Sequence, residues 1–329
     1  MPAITDFISR REILGVFAGL KGVPLFLRDS FFRGTKTTLA EVVSFLMTET
    51  SVTVAPYGTR GSESDNVSTR TGTWMSYRIP LINIFDTITA QDISELGPLN
   101  MLSVADLIGD KSAGLENQIR AAIEVACAEA MFSRQINFPQ ATSGNSQDPI
   151  LYPLAANLQD TDNWTNASTA NPFGKIGALA SVVQDNGFLP DTVVMNGTTF
   201  AKLQSTDAFK EAKLTTTVLD TAMVTQYREQ GVAYRGSING LDYFTYQVLS
   251  GATKKVPDGK VLIASRSGSR GQMVYGGVSD VAQTSPAERY VLPLKHNESA
   301  GSYELRVKSA PLPVKIDLND SAILTATIA

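Results

Sequence analysis

The sequence predicts an α+β protein whose body contains an inserted α/β domain, with a long β-ribbon and an N-terminal arm outside both. Three observations support this prediction. An apolar stripe at helical spacing covers residues 112–136, a polar stretch interrupts two alternating segments within 50–82, and compact α/β patterning covers 174–287. Strands are predicted again over 288–329, and we expect them to complete a sheet beside the first half of the chain.

Residues 1–49 are interpreted as the N-terminal arm, whose densest apolar stretch is PLFLRDSFF. This stretch brings Phe26, Arg28, Phe31 and Phe32 close together in the sequence. Two alternatives stay open from the residues alone. The arm either lies along its own subunit or packs on a neighbouring one, and in the second case these four side chains are its contact residues.

The segment 50–82 is predicted to be a two-stranded ribbon around VAPYGTRGSESDNVSTRTGTW, which has little apolar surface to bury. Trp74 and Tyr77 lie on the returning strand, and Arg60 and Arg70 lie in the polar part. An isolated two-stranded ribbon is marginally stable in water. The ribbon is therefore predicted to need a partner surface.

The strongest predicted helix, 112–136, lies within a first body segment of residues 83–173. Its apolar stripe consists of Leu115, Ile119, Ala122, Ile123, Ala126, Ala130 and Met131. Glu116 and Glu124 are expected on other faces of the helix. Residues 139–173 are rich in Asn, Asp, Ser, Thr and Pro, which predicts an irregular loop and a domain boundary.

Short local signals are more specific. Asn239-Gly240 predicts a tight hairpin turn inside the α/β domain. Residues 192–195 read as a buried strand of the same domain. Thr89 and Asp92 have the spacing of a capping box at a helix N-terminus.

The sequence contains no recognisable catalytic, cofactor-binding or metal-binding motif. Cys127 and His296 are the single cysteine and histidine, which excludes disulfides within the chain, Cys-based zinc sites and metal sites of the three-His or HExxH type. The glycine-containing stretches 268–271 and 275–277 lack phosphate-loop spacing and are interpreted as turns. Residues 317–320 are also interpreted as a turn between strands. Because no motif indicates a catalytic pocket, an enzyme remains only a minor alternative.

The composition limits partners and location. The net charge of -4 and the pI of about 5.2 argue against a surface that neutralises many phosphates, although a protein that merely encloses DNA is compatible with them. No stretch is long and apolar enough for a transmembrane helix. Asp6 and Glu12 interrupt the charge pattern of a signal peptide, so synthesis in the cytoplasm is expected.

The order of arm, ribbon, long helix, inserted α/β domain and closing strands resembles that of tailed-bacteriophage major capsid proteins. The chain resembles the lambda-type family, often called major capsid protein E, which has the Hong Kong 97 fold. The residues that carry the resemblance are PLFLR at 24–28 with Phe31-Phe32, YRIP at 77–80 and SAPLP at 309–313.

The resemblance implies a structural protein that assembles into an icosahedral shell around the double-stranded DNA of a tailed phage. The ribbon 50–82 would be the extended loop that lies over a neighbouring subunit and buries Trp74 and Tyr77 there. Residues 83–173 and 288–329 would form the peripheral domain, and 174–287 the axial domain. Many copies, as hexamers and pentamers, would form a virion capsid in the host cytoplasm, without catalysis or cofactors.

The resemblance also implies partners. Because 50–82 contains no Lys, we expect no covalent Lys–Asn cross-links of the kind that some relatives form. A separate scaffolding protein, a portal protein and a decoration protein are expected, while DNA is enclosed without tight sequence-specific binding and no membrane is involved. An encapsulin-type nanocompartment shell, which encloses enzyme cargo, is the alternative function.

Overall fold

The computed structural model of the chain describes residues 23–49, 71–92, 104–138, 149–212, 227, 231–250, 253–278, 280, 285–292, 294–297 and 301–328. The helices within these residues are α1 Phe26–Phe31, α2 Val104–Ala128, α3 Pro172–Asp185, α4 Gly197–Ser205 and α5 Asp207–Glu211, with a π-helical turn Glu129–Ser133 and a 3-10 turn Ala156–Leu158. The strands are β1 Gly34–Thr37, β2 Val42–Glu49, β3 Thr71–Arg78, β4 Ile82–Ile88, β5 Gln135–Ile136, β6 Ile150–Leu151, β7 Gln159–Asn163, β8 Thr192–Met195, β9 Ala233–Ile238, β10 Leu241–Thr245, β11 Leu249–Ser250, β12 Thr253–Lys254, β13 Lys260–Ala264, β14 Gln272–Tyr275, β15 Tyr290–Val291, β16 Lys295–Asn297, β17 Ser302–Ser309, β18 Pro311–Val314 and β19 Ser321–Thr327. None of the described helices combines the length and apolar character needed to cross a membrane.

A six-stranded sheet in the order β7-β19-β13-β8-β10-β9 forms the centre of the predicted α/β region. Strand β8 pairs parallel with β10 and antiparallel with β13, so the sheet is mixed. Helix α3 contributes Ile176, Leu179 and Val183 to an apolar cluster that also contains Val193 of β8. These contacts confirm the predicted helix and buried strand of this region.

The last strand differs from the sequence prediction. We expected it to join the first half of the chain, but β19 pairs with β13 and β7 in the six-stranded sheet, where Ile323 lies opposite Leu262. Most of β19 is buried, which suits a strand in the middle of a sheet. The prediction for 288–329 is therefore wrong for this strand, and the sheet begins with β7, before residue 174.

Of the other C-terminal strands, β17 follows the prediction, because its partner β4 belongs to the first half of the chain. Strand β17 pairs antiparallel with β4, from Tyr303 opposite Ile88 to Ser309 opposite Ile82, and its other edge pairs with β15 and β16. Strand β18 joins β14 and β1 in a three-stranded sheet. The C-terminal strands therefore connect the two halves of the sequence through several sheets.

Helix α2 confirms the predicted long helix, with different bounds. It begins at Val104 and passes into the π-helical turn, and Arg134 ends it with a left-handed φ of 55°. Leu115, Ile119 and Ile123 are buried as the apolar stripe predicts.

Three residues of α2 were assigned to the wrong environment. Ala122, predicted in the apolar stripe, is exposed, whereas Glu116 and Glu124 are buried. The helix packs against α1 as well as against β4, β17 and β18, so more than one of its faces is covered. An apolar stripe along one face of a helix does not predict that a second face is also covered.

The two remaining local signals are also confirmed. Asn239 and Gly240 have φ values of 54° and 78° in the turn between the antiparallel strands β9 and β10. The Thr89 N–H donates to Asp92 Oδ2 at 2.8 Å, and the Asp92 N–H donates to Thr89 Oγ1 at 3.2 Å. These reciprocal bonds form the predicted capping box.

Candidate assembly interface

Strands β2 and β3 form a two-stranded antiparallel ribbon, paired along the full length of both strands. This confirms that the predicted outgoing and returning strands pair with each other. Residues 50–70, which include Arg60 and Arg70, lie outside the described residues. Because residues directly opposite each other lie on the same face of a sheet, the register divides the ribbon into an inner and an outer face.

The inner ribbon face packs on the chain's own body. Phe45 and Met47 are buried there, and the Tyr77 ring lies 6.0 Å from that of Phe138, measured between centroids. Tyr77, predicted to contact a neighbouring copy together with Trp74, therefore contacts its own chain. The two residues are three positions apart on one strand, so they point to opposite faces.

We define the outer ribbon face as Val42, Ser44, Leu46, Trp74, Ser76 and Arg78. The buried Thr48 and its partner Gly72 continue the same row at the end next to residues 50–70. Trp74 is 71% exposed on this face and lies opposite Leu46. Beside it, the Ser44 and Ser76 hydroxyl oxygens are 3.2 Å apart in a hydrogen bond. A Trp side chain carries a large apolar area, and here most of it remains exposed to solvent.

The end of β2 is fixed to the C-terminal part of the chain. The Thr48 N–H donates to the Ile316 carbonyl at 2.8 Å, and the Leu318 N–H donates to the Thr48 carbonyl at 3.1 Å. The Thr48 hydroxyl also donates to Asp317 Oδ1 at 2.6 Å. These bonds anchor the end of β2 that leads into residues 50–70, so the described part of the ribbon is fixed to the body at that end.

Next to this anchor is a buried group of charged side chains, part of which lies in the stretch 317–320 that was predicted to be a simple turn. Lys315 Nζ donates to Asp320 Oδ1 and, at 3.0 Å, to the Ser321 hydroxyl. Arg134 Nη2 donates to the Ser321 carbonyl and hydroxyl at 3.1 and 2.9 Å. Burial lowers the pKa of Lys315 to about 8 and that of Arg134 to about 10, although Asp320 opposes both shifts.

The sequence did carry one signal of this buried group, because a lysine and two aspartates lie in the short segment between the two apolar strands β18 and β19. No group of three or more His, Cys, Asp or Glu side chains within the described ranges could hold a metal ion.

Glu124 connects the arm to the long helix. Its carboxylate accepts the backbone N–H of Leu27 at 2.7 Å and of Arg28 at 3.3 Å, which are free donors in the first turn of α1. The Tyr246 hydroxyl donates to the same carboxylate at 2.8 Å. Burial raises the pKa of Glu124 to about 7, while these hydrogen bonds act in the opposite direction.

The predicted arm contacts also lie on the chain's own body. Phe26, Phe31 and Phe32 are buried in its core, and the Arg28 guanidinium pairs with the Asp29 carboxylate at 2.7 Å. Of the two alternatives that the sequence left open, the described part of the arm follows the one in which it lies along its own subunit. The apolar face of the short helix α1 is buried there.

Two glycines from the stretches interpreted as turns have a packing role. A Cβ on Gly271 would collide with the Phe31 carbonyl oxygen, and one on Gly277 would collide with that of Leu39. Glycine allows the backbone of these stretches to approach the arm region closely.

A second apolar surface lies between α2 and the start of β4. It is a groove of about 440 Å³ whose lining includes Leu81, Val125, Phe138 and Pro311. On β4 itself, Phe85 is exposed and the Arg306 guanidinium lies 5.3 Å above its ring. The outer ribbon face and this groove are thus two exposed apolar surfaces of the described chain.

Comparisons with known proteins show which proteins share this architecture. The model of the family described as phage major capsid protein E matches residues 9–326. A protein assigned as a prophage capsid protein in E. coli CFT073 has a similar solved structure, with a TM-score of 0.70 and 12% identity over 97% of this chain and 99% of that chain. For a phage-related protein from Bordetella bronchiseptica, the TM-score is 0.61 and the identity 10%, over 97% of both chains.

An encapsulin complex from Synechococcus elongatus PCC 7942 is similar with a TM-score of 0.50 and 12% identity, over 92% of this chain and 87% of that chain. A search of curated proteins found no match. At these identities the solved structures show a shared fold, which is of the Hong Kong 97 type, whereas the family match covers nearly the whole sequence. The chain therefore belongs to the family of phage major capsid protein E and is a structural protein of the capsid.

Proposed function

We propose that many copies of this chain assemble into an icosahedral shell through the outer ribbon face, with Trp74 as its main contact. The observation that carries the proposal is the 71% exposure of Trp74 on a ribbon whose inner face is already packed. Burying this ring against another copy would remove a large apolar area from water. Trp is also enriched among the residues that dominate interface energies.

The remaining features of the shell are part of the same proposal, and the family match supports them. Copies related by head-to-tail contacts close into rings, here hexamers and pentamers. The shell encloses the double-stranded DNA of a tailed phage, and a net charge of -4 is consistent with weak, sequence-independent contact with it. The protein forms the virion capsid in the host cytoplasm, without catalysis, together with separate scaffolding, portal and decoration proteins.

The domain assignment is part of the same proposal. Residues 50–82 act as the extended loop, and α2 with the β4–β17 sheet forms the peripheral domain. The six-stranded sheet, which includes β7 and β19, forms the axial domain. This assignment keeps the predicted order of domains and moves the last strand to the axial domain.

The test replaces Trp74 by Ser and uses Ser76→Ala, on the same strand and face, as the matched control. Thermal unfolding of the W74S subunit should stay close to wild type, because the ring is mostly exposed. Particle yield by negative-stain microscopy and size-exclusion chromatography should fall at least about tenfold, since a central contact contributes about 2 kcal/mol or more. Wild-type particle yield from W74S would contradict the proposal.

A nanocompartment shell is the second candidate, favoured by the structural similarity to an encapsulin. The family match favours the phage capsid, because it rests on the sequence along nearly the whole chain. Particles purified from the native source distinguish the two functions. Nucleic acid inside them supports the capsid, whereas a protein cargo supports the nanocompartment.

A further inference from the structure

The groove between α2 and the start of β4 is a concave apolar surface with room for a large side chain. Its volume is about 440 Å³. Pockets that hold organic molecules measure roughly 300–1,000 Å³. Leu81, which is 45% exposed, and the partly buried Val125 and Phe138 form apolar walls. Within the described part of the chain, the groove therefore keeps apolar surface in contact with solvent.

The floor of the groove is one face of α2. Gln118, Ala122 and Val125 follow one another at i, i+4 and i+7, so they lie on the same face of the helix. Ala121 and Ala126 also line the groove. The short alanine side chains leave space above the helix backbone for a side chain from elsewhere. Gln118 and Ala122 are exposed, so none of the described elements covers the middle of this face.

Glu129 brings a carboxylate to the lining, but its charge is compensated within the chain. Lys255 Nζ donates to Glu129 Oε1 at 2.5 Å, and the Asn137 N–H donates to Glu129 Oε2 at 2.8 Å. At the rim, the exposed Gln118 side chain carries an amide oxygen that can accept a hydrogen bond. The groove therefore suits a neutral aromatic ring with one N–H donor, which is the chemistry of an indole.

Trp74 of the same chain points away from this groove. Phe138, one wall of the groove, packs against Tyr77 on the inner ribbon face, with 6.0 Å between the ring centroids. Trp74 lies on the outer ribbon face, so its ring projects from the opposite side of the ribbon. A contact between Trp74 and a groove therefore requires two copies. It joins two different surfaces head to tail, and contacts of this kind generate rings when the rotation closes.

We propose that the groove of one copy receives the Trp74 ring of a neighbouring copy. This inference rests on the proposed assembly through the outer ribbon face, and it names the surface that completes the contact. The ring lies over Ala122 between the apolar walls, with its N–H directed to Gln118. Leu46, opposite Trp74 on the ribbon, adds apolar area beside it. A Trp enclosed in a desolvated pocket is typical of the residues that dominate interfaces.

The first test fills the groove. Ala122→Trp places a large side chain on its floor, and Ala178→Trp, at an exposed site on α3, is the matched control. Thermal unfolding of the unassembled A122W subunit should stay close to wild type. Particle yield by negative-stain microscopy should fall at least about tenfold in A122W, as for the loss of a central contact, and should not change in A178W.

Two outcomes of this test overturn the proposal. Wild-type particle yield from A122W shows that the groove receives nothing during assembly, and the role of Trp74 then still stands if W74S fails to assemble. A clearly lower unfolding midpoint of the A122W subunit shows that the chain fills its own groove. Wild-type yield from W74S, in contrast, contradicts the assembly proposal itself.

The second test locates the contact by cross-linking. Ser76→Cys lies beside Trp74 on the outer ribbon face, and Gln118→Cys lies at the groove. The native Cys127 is fully buried. In particles of the double variant, a short bis-maleimide reagent should join neighbouring copies into a ladder of multimers on denaturing gels. A single introduced cysteine permits no more than dimers, and Ser76→Cys with Ala178→Cys controls for the reach of the reagent. Assembled particles of S76C/Q118C without a ladder overturn the proposal.

Discussion

Glu124 shows how a single residue of this chain acts away from the element that carries it. It belongs to α2, yet its carboxylate accepts two N–H groups of α1 and the hydroxyl of Tyr246. The acceptor and the Leu27 donor are 97 residues apart in sequence. The residue therefore joins the arm, the long helix and the α/β region at one buried point.

The raised pKa of Glu124 gives a pH-dependent stability. Its folded pKa of about 7 lies above the ordinary value of 4.5, so this group favours the folded state fully below pH 4.5, and that contribution is lost as the pH rises through 7. In the Glu124→Gln variant, the fall in unfolding midpoint between pH 5 and pH 8 should be smaller than in wild type.

Thermal unfolding across this range measures the effect. Glu211→Gln, at an exposed site on α5, is the control and should keep the wild-type pH dependence. The same slope in E124Q and wild type would show that Glu124 is not the titrating group.

At the scale of elements, the ribbon is the part whose two faces have different roles. The inner ribbon face buries Phe45 and Met47 on the body, and Thr48 fixes the end of β2 to the C-terminal turn. The outer ribbon face leaves Trp74 exposed. The ribbon is thus packed against the subunit on one face, and its other face exposes the Trp74 ring that we propose as an assembly contact.

Deleting residues 56–69 should separate folding from assembly. The deletion keeps β2, β3 and the hydrogen bonds of Thr48, so the unfolding midpoint should stay close to wild type. Shell formation, followed by negative-stain microscopy, should be lost because the proposed extended loop is shortened. A Gly/Ser linker of equal length is the matched control for chain length, and wild-type particles from the deletion would refute the role of this segment.

At the scale of the whole molecule, the C-terminal segment connects parts that are distant in sequence. Strands β17, β18 and β19 each join a different sheet. In the turn between β18 and β19, Asp317 accepts a hydrogen bond from Thr48 of the ribbon. Ser321, at the start of β19, accepts hydrogen bonds from Arg134 at the end of the long helix. The buried pair of Lys315 and Asp320 lies at the centre of these connections.

Replacing Lys315 by Met should destabilise the whole fold by about 3–5 kcal/mol, because it leaves a buried carboxylate without its partner. The double variant Lys315→Met/Asp320→Asn should recover much of this loss, since both charges are removed. Urea unfolding measures the free energies, with Lys295→Met at an exposed position as the control. A loss below about 1 kcal/mol in K315M, the range of a surface ion pair, would contradict a buried role for this pair.

The sequence by itself determined the order of elements, the long helix, the hairpin at Asn239-Gly240 and the capping box at Thr89, because these depend on periodicity and on contacts between near neighbours in the chain. The tertiary structure decided which side chains share a face, as with Tyr77 and Trp74, and which sheet receives β19. It also decided that Glu124, Lys315 and Arg134 are buried. The periodicity of apolar residues predicts that a residue is covered, but it does not predict which distant segment covers it. A charged side chain is buried only where the fold brings a partner to it, and that partner is distant in the sequence.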